Sequence, residues 1–367
     1  MSGALESTCL LQSHLAVALA SHITTILIFT IQPPQLRILD DLGFGTWAWG
    51  NRFLWDYDKS QDAELKRTFD YATSKGVNWF DTADSYGTGE LSGRAEELLG
   101  MFESANSANI KSSKKANFLT KLAPYPWRVG KQSMISASVQ SRQRLNRDKI
   151  DVLQLHWPPS LGWQEEAYIE GFTEILKANC ATQLGVSNYG RNGLRKVARY
   201  AEKAASKAGL GDKQTIYSNQ VQFSLLSRNP LQNGLVEEME ELGIQPIGYS
   251  PLGLGLLTDK YKIEKQNLPG GARGLLLKEY LPALSPLLGE LRSIAKYRKK
   301  TVAQVCLNWS NSKGFLVLVG ARSVEQAKEN LGATGWALTQ AEMETIDIAA
   351  ARIPANKQLV QNSFQSG

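Results

Sequence analysis

The sequence contains little cysteine. Cys9, Cys180 and Cys306 are its three cysteines in 367 residues, too few and too widely spaced for a disulfide framework or a zinc site. We therefore expect a protein of a reducing compartment with no metal centre. Cys306 lies at helical spacing among apolar residues, which predicts a place in the core.

Histidine is equally scarce, and only His156 is expected to act as an imidazole in a folded site. His14 and His22 belong to an apolar leader, whereas His156 follows the apolar run 150–155 and stands just before Pro158. A run rich in β-branched and apolar residues that stops at a proline is typical of a buried strand at its exit. We expect His156 to face a cleft.

The chain has no convincing signal peptide or membrane span, and we expect no stable membrane insertion. The stretch 15–31 is largely apolar, but polar residues interrupt it and no Lys or Arg precedes it. Glu6 is the only acid before Asp40, and this low acid content leaves an organelle transit segment as an open interpretation, although the enrichment in Arg expected of one is missing. We interpret residues 1–38 as a leader, disordered or removed, and residues 39–367 as one domain.

The excess of positive charge is small. Lys and Arg outnumber Asp and Glu by 41 to 35, a net charge of +6, and the densest basic clusters are short, at 111–115 and 296–300. A solvated helix face explains such runs at least as well as contact with nucleic acid does. We expect no nucleic-acid partner, and the mild basic excess suits an anionic cofactor.

From residue 41 onward, short apolar runs alternate with longer amphipathic stretches. The runs are continuously apolar, without alternation between apolar and polar residues, and they are rich in Val, Ile, Leu and aromatic residues, as strands buried on both faces are. The eight strand candidates are 42–47, 77–82, 117–122, 150–156, 182–188, 216–223, 244–250 and 315–320. The clearest helical patterns are 62–75, 94–102, 133–146, 191–207, 235–242 and 324–331. Gly76 and Gly243 stand just past helical patterns, where a left-handed cap is needed.

This alternation predicts an α/β fold with a parallel sheet, and eight units favour a closed (β/α)8 TIM barrel over an open doubly wound sheet. An open dinucleotide-binding sheet would show a Gly-x-Gly-x-x-Gly turn, and the run 43–45 lacks the third glycine. Two long inserts, 157–170 and 252–284, follow strand ends on the face where barrel enzymes build their sites.

Four polar residues map to strand exits or just beyond them: Asp81, Tyr86, Lys121 and His156. Neighbouring parallel strands lie about 4.8 Å apart, so these side chains can converge. A tyrosine has a pKa near 10 and becomes a useful proton donor only when its phenolate is stabilised, which a nearby lysine ammonium does. An aspartate would hold that ammonium, and the histidine would orient a carbonyl oxygen. A lysine on a buried strand is costly unless paired, so a purely structural explanation of all four is less favoured.

The segments that contain these residues resemble the signatures of the aldo-keto reductase family, in the family's order and from about Leu42 to the C-terminus. The matching segments are 80–87, 120–121, 155–158, 185–189, 219–223, 248–252 and 320–323. The resemblance implies a (β/α)8 barrel that binds NADPH in extended form without a Rossmann fold. It also implies that Asp81, Tyr86, Lys121 and His156 are catalytic, with Tyr86 as the general acid.

The resemblance further implies a set of cofactor contacts, with NADP favoured over NAD. Ser187, Asn188 and Gln220 correspond to residues that hold the nicotinamide carboxamide, and Tyr249 to the aromatic residue that stacks on its ring. The other expected contacts are Ser250, Leu252 and Gly253 at the pyrophosphate, Arg273 over the phosphates, Arg322 and Ser323 at the 2′-phosphate, Gln326, Glu329 and Asn330 near adenine, and Thr46, Trp47 and Gly320 elsewhere along the cofactor.

The sequence departs from the family pattern in two places. Val317 and Val319 stand where the family usually has prolines, which bears on the adenosine pocket, and the turn 177–182 replaces a more regular glycine-containing one. Asn179 in that turn can still adopt a left-handed conformation.

Three tryptophans are expected to line the substrate pocket: Trp49, Trp127 and Trp157. Sealing of the barrel top is the alternative role for them. The segments around these residues resemble plant and algal plastid members of the family, including pyridoxal reductase-like proteins. That likeness suggests a chloroplast location, with the cytoplasm as the alternative. An aromatic pocket suits a flat or apolar carbonyl compound without selecting one.

Two functions stay open at this stage. The favoured one is an NADPH-dependent reductase of aldehydes or ketones, pyridoxal among them, acting as a monomer on a small molecule. The alternative is a cofactor-sensing regulatory subunit with little turnover, since some members of the family that the sequence resembles act as such subunits of ion channels. The complete set of four polar residues favours the enzyme.

Overall fold

A computed structural model of the chain describes residues 42–109, 115–211 and 216–359. Eight parallel strands form one closed barrel in sequence order, and β8 pairs with β1. The strands are β1 Leu42–Gly45, β2 Trp79–Asp81, β3 Asn117–Leu122, β4 Ile150–Leu155, β5 Ala181–Ser187, β6 Ser218–Gln222, β7 Gln245–Tyr249 and β8 Leu316–Gly320. The predicted (β/α)8 barrel is confirmed, and each strand lies within or close to its predicted range.

Helices surround this barrel. They are α1 Arg52–Trp55, α2 Asp62–Ser74, α3 Arg94–Asn109, α4 Gly130–Leu145, α5 Gln164–Lys177, α6 Arg191–Ala208, α7 Asn229–Gln232, α8 Leu235–Glu241, α9 Gly271–Arg298, α10 Val302–Ser312, α11 Val324–Leu331 and α12 Gln340–Ala351. The six helical patterns of the sequence all correspond to helices in this set.

The two predicted inserts are only partly irregular, because helices begin inside both. Helix α5 begins at Gln164 and α9 at Gly271. Helix α9 carries Pro282 and Pro286 in its interior. Since proline lacks a backbone N–H and normally ends or kinks a helix, these residues disguise the helical pattern in the sequence.

The interior of the barrel is layered. Its lower layer is a separate apolar cluster of buried side chains, Leu119, Val152, Ile247, Leu316 and Leu318. Side chains two residues apart on a strand point the same way, so Lys121 stands above Leu119 on β3. The polar residues at the carboxyl ends of the strands therefore rest on an apolar floor.

Turn and core predictions agree with the structure. Gly76 and Gly243 have φ values of 88° and 65°, and Asn179 has 57°, so each is in the left-handed region that ends a helix. Cys306 is fully buried on α10, as expected of a core residue. The predicted leader 1–38 lies outside the described residues.

The described residues include no helix long and apolar enough to cross a membrane. They also contain no group of three or more His, Cys, Asp or Glu side chains that could hold a metal ion.

Candidate active site

A buried ion pair stands at the exit of the barrel. The Lys121 ammonium on β3 donates to both carboxylate oxygens of Asp81, the last residue of β2, at 2.6 and 2.7 Å. Its third hydrogen bond goes to the backbone oxygen of Thr82 at 2.7 Å. The Gln220 side chain donates to Asp81 Oδ1 at 2.7 Å. Burying either charge alone would be costly, so the pair and its hydrogen bonds belong together.

The two aromatic members of the predicted catalytic set lie against this pair. The Lys121 nitrogen is 4.8 Å from the centroid of the Tyr86 ring. The rings of Tyr86 and His156 lie edge to face, with centroids 5.7 Å apart. The structure thus brings all four predicted residues into one place, although they come from three strand ends and a loop.

Burial dominates the electrostatics of this cluster. It raises the pKa of Asp81, against the charge of Lys121 and the hydrogen bonds from Lys121 and Gln220. It lowers the pKa of Lys121, which Asp81 opposes. Burial and the Lys121 charge together hold the pKa of His156 well below its usual 6.5, so the imidazole is neutral at pH 7.

The phenol of Tyr86 departs from the expectation. Its pKa is raised well above the usual value, first by burial and then by the charges of Asp81 and Tyr249. We had expected the Lys121 ammonium to lower it. The reason for the difference is that Lys121 lies under the ring and uses its three hydrogen bonds on Asp81 and Thr82. The phenol therefore keeps its proton throughout the physiological pH range.

The residues predicted to hold a nicotinamide form a hydrogen-bonded chain beside this cluster. The Tyr249 hydroxyl donates to Asn188 Oδ1 at 2.9 Å. Asn188 Nδ2 donates to the His156 backbone oxygen at 2.9 Å and contacts Ser187 Oγ at 3.1 Å. Ser187 Oγ in turn donates to the backbone oxygen of Gln220 at 2.8 Å. The chain fixes these polar side chains on the wall of the cleft.

The loop after β7 has an unusual backbone. Ser250, Gly253 and Leu254 all have positive φ, at 56°, 53° and 58°. Arg273, from the start of α9, secures this loop by donating to the Leu254 backbone oxygen at 3.0 Å and to the Tyr261 hydroxyl at 2.8 Å. Ser250, Leu252 and Arg273, three of the expected phosphate contacts, line the cleft.

Trp55 is a site residue that the sequence analysis missed. The guanidinium of Arg273 lies 4.7 Å from its ring centroid and that of Arg322 lies 5.4 Å from it. Arg322 also donates to the Trp55 backbone oxygen at 2.6 Å. The pKa of Arg322 is lowered by burial and by the charge of Arg273. Two positive charges held close together on one indole make a place suited to an anion.

The predicted adenosine end is formed mainly by β8 and α11. Gly320, Arg322, Gln326, Glu329 and Asn330 line the cleft. Lys296 and Lys300 near the end of α9 and residues 301–303 at the start of α10 also line the cleft. The sequence analysis named the basic cluster 296–300 but interpreted it as a solvated helix face, so it did not assign these residues to the site.

The cleft as a whole has a volume of about 1220 Å³. Trp47 and Trp157 line it, but five predicted contacts do not: Thr46, Trp49, Trp127, Gly253 and Ser323. Thr46 is buried and its hydroxyl donates to the Asp81 backbone oxygen at 2.9 Å. Gly253 is buried in its loop, and Ser323 caps the N-terminus of α11.

Two of the three predicted substrate tryptophans lie elsewhere. Trp49 is 1% exposed, and its indole donates to the Ala321 backbone oxygen at 3.0 Å, so it belongs to the core. Trp127 is 74% exposed and stacks on Tyr125 at 4.6 Å. Trp157 does line the cleft and packs against His156 with centroids 4.6 Å apart.

Comparison with known sequences identifies the family of this chain. Residues 41–351 match the model of the Aldo/keto reductase family. The chain is 42% identical to a chloroplastic pyridoxal reductase of Arabidopsis thaliana over 327 residues, 89% of this chain and 86% of that one. It is 32% identical to an uncharacterized oxidoreductase of Mycobacterium tuberculosis over 314 residues, 84% of this chain and 88% of that one.

Solved structures have the same fold. A thermostable aldo-keto reductase in complex with the inhibitor epalrestat superposes with a TM-score of 0.62 at 25% identity, covering 84% of this chain and 94% of that one. An aldo/keto reductase of Klebsiella pneumoniae in complex with NADP and acetate gives a TM-score of 0.64 at 20% identity, covering 86% and 92%. From its family match and its barrel, the chain belongs to the aldo/keto reductase family and is an oxidoreductase.

Proposed function

We propose that this protein is an NADPH-dependent reductase that converts a flat aromatic aldehyde, with pyridoxal as the first candidate, into the alcohol. The observation that carries the proposal is the buried Asp81–Lys121 pair beneath Tyr86 and His156 at one end of a large cleft. Such an arrangement offers a proton donor and a neutral imidazole to a carbonyl oxygen that gains negative charge.

The residues along the cleft fit NADPH. Arg273 and Arg322 supply guanidinium groups for phosphate, and their mutual repulsion over Trp55 is relieved when an anion binds between them. Near the catalytic end, Ser187, Asn188 and Gln220 supply amide and hydroxyl groups for a carboxamide. NADPH, when bound, supplies the hydride for reduction of the carbonyl carbon.

The chain's own side chains manage the proton. The raised pKa of Tyr86 keeps a proton on its oxygen, available for the substrate oxygen as charge develops there. His156 is neutral and orients the same oxygen by a hydrogen bond. Asp81 and Lys121 form a buried ion pair, and the ammonium lies 4.8 Å from the centroid of the Tyr86 ring, so the pair positions the phenol at the cleft.

The substrate class follows from the walls of the cleft near His156. Trp157 lies beside the imidazole, and Trp47 also lines the cleft. A planar ring can pack against Trp157 while its aldehyde reaches Tyr86. The Arabidopsis relative named as a pyridoxal reductase supports pyridoxal as the first compound to test. Because that relative is chloroplastic, we also propose a plastid location, which fractionation of the source cells would check.

The test is NADPH oxidation with pyridoxal and with 4-nitrobenzaldehyde, compared between the wild type and Tyr86→Phe. We expect turnover with alcohol as product, and a loss of about 10²-fold in kcat with little change in NADPH affinity for the variant. Tyr297→Phe is the matched control, since Tyr297 is 81% exposed on α9. Tight NADPH binding without turnover of any carbonyl compound would contradict the proposal and favour a regulatory subunit.

Cofactor choice has its own test. We expect Arg322→Ala to weaken NADPH binding far more than NADH binding, since only NADPH carries the 2′-phosphate. An unchanged ratio of the two affinities would show that Arg322 does not contact that phosphate.

A further inference from the structure

Ser85 makes a contact that the proposed mechanism does not use. Its hydroxyl oxygen lies 3.3 Å from Nδ1 of His156. Among the described residues, Ser85 is the only side chain hydrogen-bonded to a ring nitrogen of His156. Ser85 stands in the loop between Asp81 and Tyr86, so one short segment carries the carboxylate, the phenol and this hydroxyl.

The protonation state of His156 gives the contact with Ser85 a role in deciding which ring nitrogen carries the proton. Burial and the Lys121 charge keep the imidazole neutral, and a neutral imidazole has a single N–H on one of its two nitrogens. The nitrogen that carries the proton decides whether the ring offers a donor or an acceptor to the cleft. The partner of the other nitrogen sets that choice.

The remaining contacts of His156 fix the position of the ring but do not select a tautomer. Trp157 and Tyr86 pack against the ring, with centroids at 4.6 and 5.7 Å. Asn188 donates to the backbone oxygen of His156 at 2.9 Å. None of these three contacts involves Nδ1 or Nε2, which leaves Ser85.

We propose that Ser85 is a positioning residue that holds His156 in the tautomer with its proton on Nε2. The Ser85 O–H donates to Nδ1, which must then be unprotonated, and Nε2–H is left to donate to the carbonyl oxygen of the substrate. A hydroxyl can donate to Nδ1 or accept from it, so the contact identifies Ser85 as the partner of Nδ1. The choice of the Nε2–H form rests on the proposed reductase function, which needs a donor directed at the carbonyl oxygen.

The direct test is the tautomer of His156 by nitrogen NMR. In a chain with His14→Gln and His22→Gln, His156 is the sole histidine, so its two ring nitrogens can be assigned without ambiguity. We expect a protonated Nε2 and an unprotonated Nδ1 in this chain, and a mixture of tautomers when Ser85→Ala is added. A protonated Nδ1 in the first chain, or an unchanged spectrum in the second, would overturn the proposal.

Kinetics supply the second readout. We expect Ser85→Ala to lower kcat about 10-fold with NADPH affinity unchanged, a part of what a positioned donor contributes, and Ser85→Thr to restore most of it because the hydroxyl returns. Ser293→Ala on α9 is the control for an unrelated serine. Equal kcat in Ser85→Ala and wild type would contradict the role. If the wild type reduces no aldehyde, the proposed function fails, while the NMR result still decides the tautomer.

Discussion

Lys121 and Asp81 are joined by two hydrogen bonds of 2.6 and 2.7 Å although their side chains are only 1% and 5% exposed. A charge in such a place is stable only with its partner, because removal of one partner leaves the other without water or a counter-charge. The pair is therefore a structural element of the barrel as well as part of the proposed catalytic site.

We expect Lys121→Met to lower the free energy of unfolding by about 3–5 kcal/mol, since it leaves the Asp81 carboxylate buried and unpaired. Lys131→Met is the matched control: the Lys131–Glu174 pair is 49% and 47% exposed, so its loss should change the free energy of unfolding far less. Urea denaturation at pH 7 measures both. Equal decreases in the free energy of unfolding of the two variants would mean that the buried pair stabilises the fold no more than an exposed pair does.

His156 gives stability a specific pH dependence. Folding lowers its pKa, so below about pH 6.5 the unfolded chain takes up a proton that the folded chain does not. The stability from the neutral imidazole is thus full above 6.5 and declines as pH falls toward the folded pKa, by at most about 1.4 kcal/mol per pH unit.

The comparison of wild type with His156→Gln isolates this contribution, because all other titrating groups are shared. Unfolding free energies measured from pH 7.5 to 5 should fall more steeply for the wild type below 6.5. Parallel curves would mean that His156 takes up its proton equally well in the folded chain.

Trp157 and Trp127 differ in their expected effect on substrate binding. Trp157→Ala should raise KM for an aromatic aldehyde about 10-fold, because Trp157 lines the cleft beside His156. Trp127→Ala should change it less than about 2-fold, because Trp127 is largely exposed on the outer side of Tyr125. Steady-state kinetics with pyridoxal test the pair, and a larger effect of Trp127 would place the substrate further out.

Trp55 should matter to the cofactor through two arginines. We expect Trp55→Ala to raise KM for NADPH by about 5- to 10-fold, because Arg273 and Arg322 lose the ring that holds them. Phe53→Ala in the same short helix is the control, since Phe53 is 86% exposed. KM for NADH should rise less, because NADH shares the phosphates expected for Arg273 but lacks the 2′-phosphate expected for Arg322; an equal rise would show that Trp55 does not act through the 2′-phosphate.

The sequence predicted the barrel because continuous apolar strands and amphipathic helices recur eight times. It predicted the cluster of four polar residues because Asp81, Lys121 and His156 stand at strand exits, with Tyr86 just beyond one of them. It misplaced Trp49, which the chain turns back into the core after β1 to meet Ala321. The role of Trp55 was hidden for a related reason. Its contact with Arg322 joins residues 267 positions apart, and no local pattern records such a pairing.

The pKa of Tyr86 was predicted in the wrong direction for a physical reason. Sequence alone indicates that a lysine and a phenol are near each other, but it does not say how the three hydrogen bonds of the ammonium are used. In the folded chain they go to Asp81 and Thr82, so burial decides the outcome.

The closure of the barrel has a consequence for biosynthesis. Strand β1 pairs with β8, and the Trp49 indole donates to the backbone oxygen of Ala321, 272 positions further along the chain. A ribosome has therefore released nearly the whole polypeptide before β1 can acquire its second neighbour. Contacts of such long range slow folding, and the nascent strands keep an unpaired edge meanwhile. Truncation before β8 should yield insoluble product, and chaperone supply should limit the yield of the full chain.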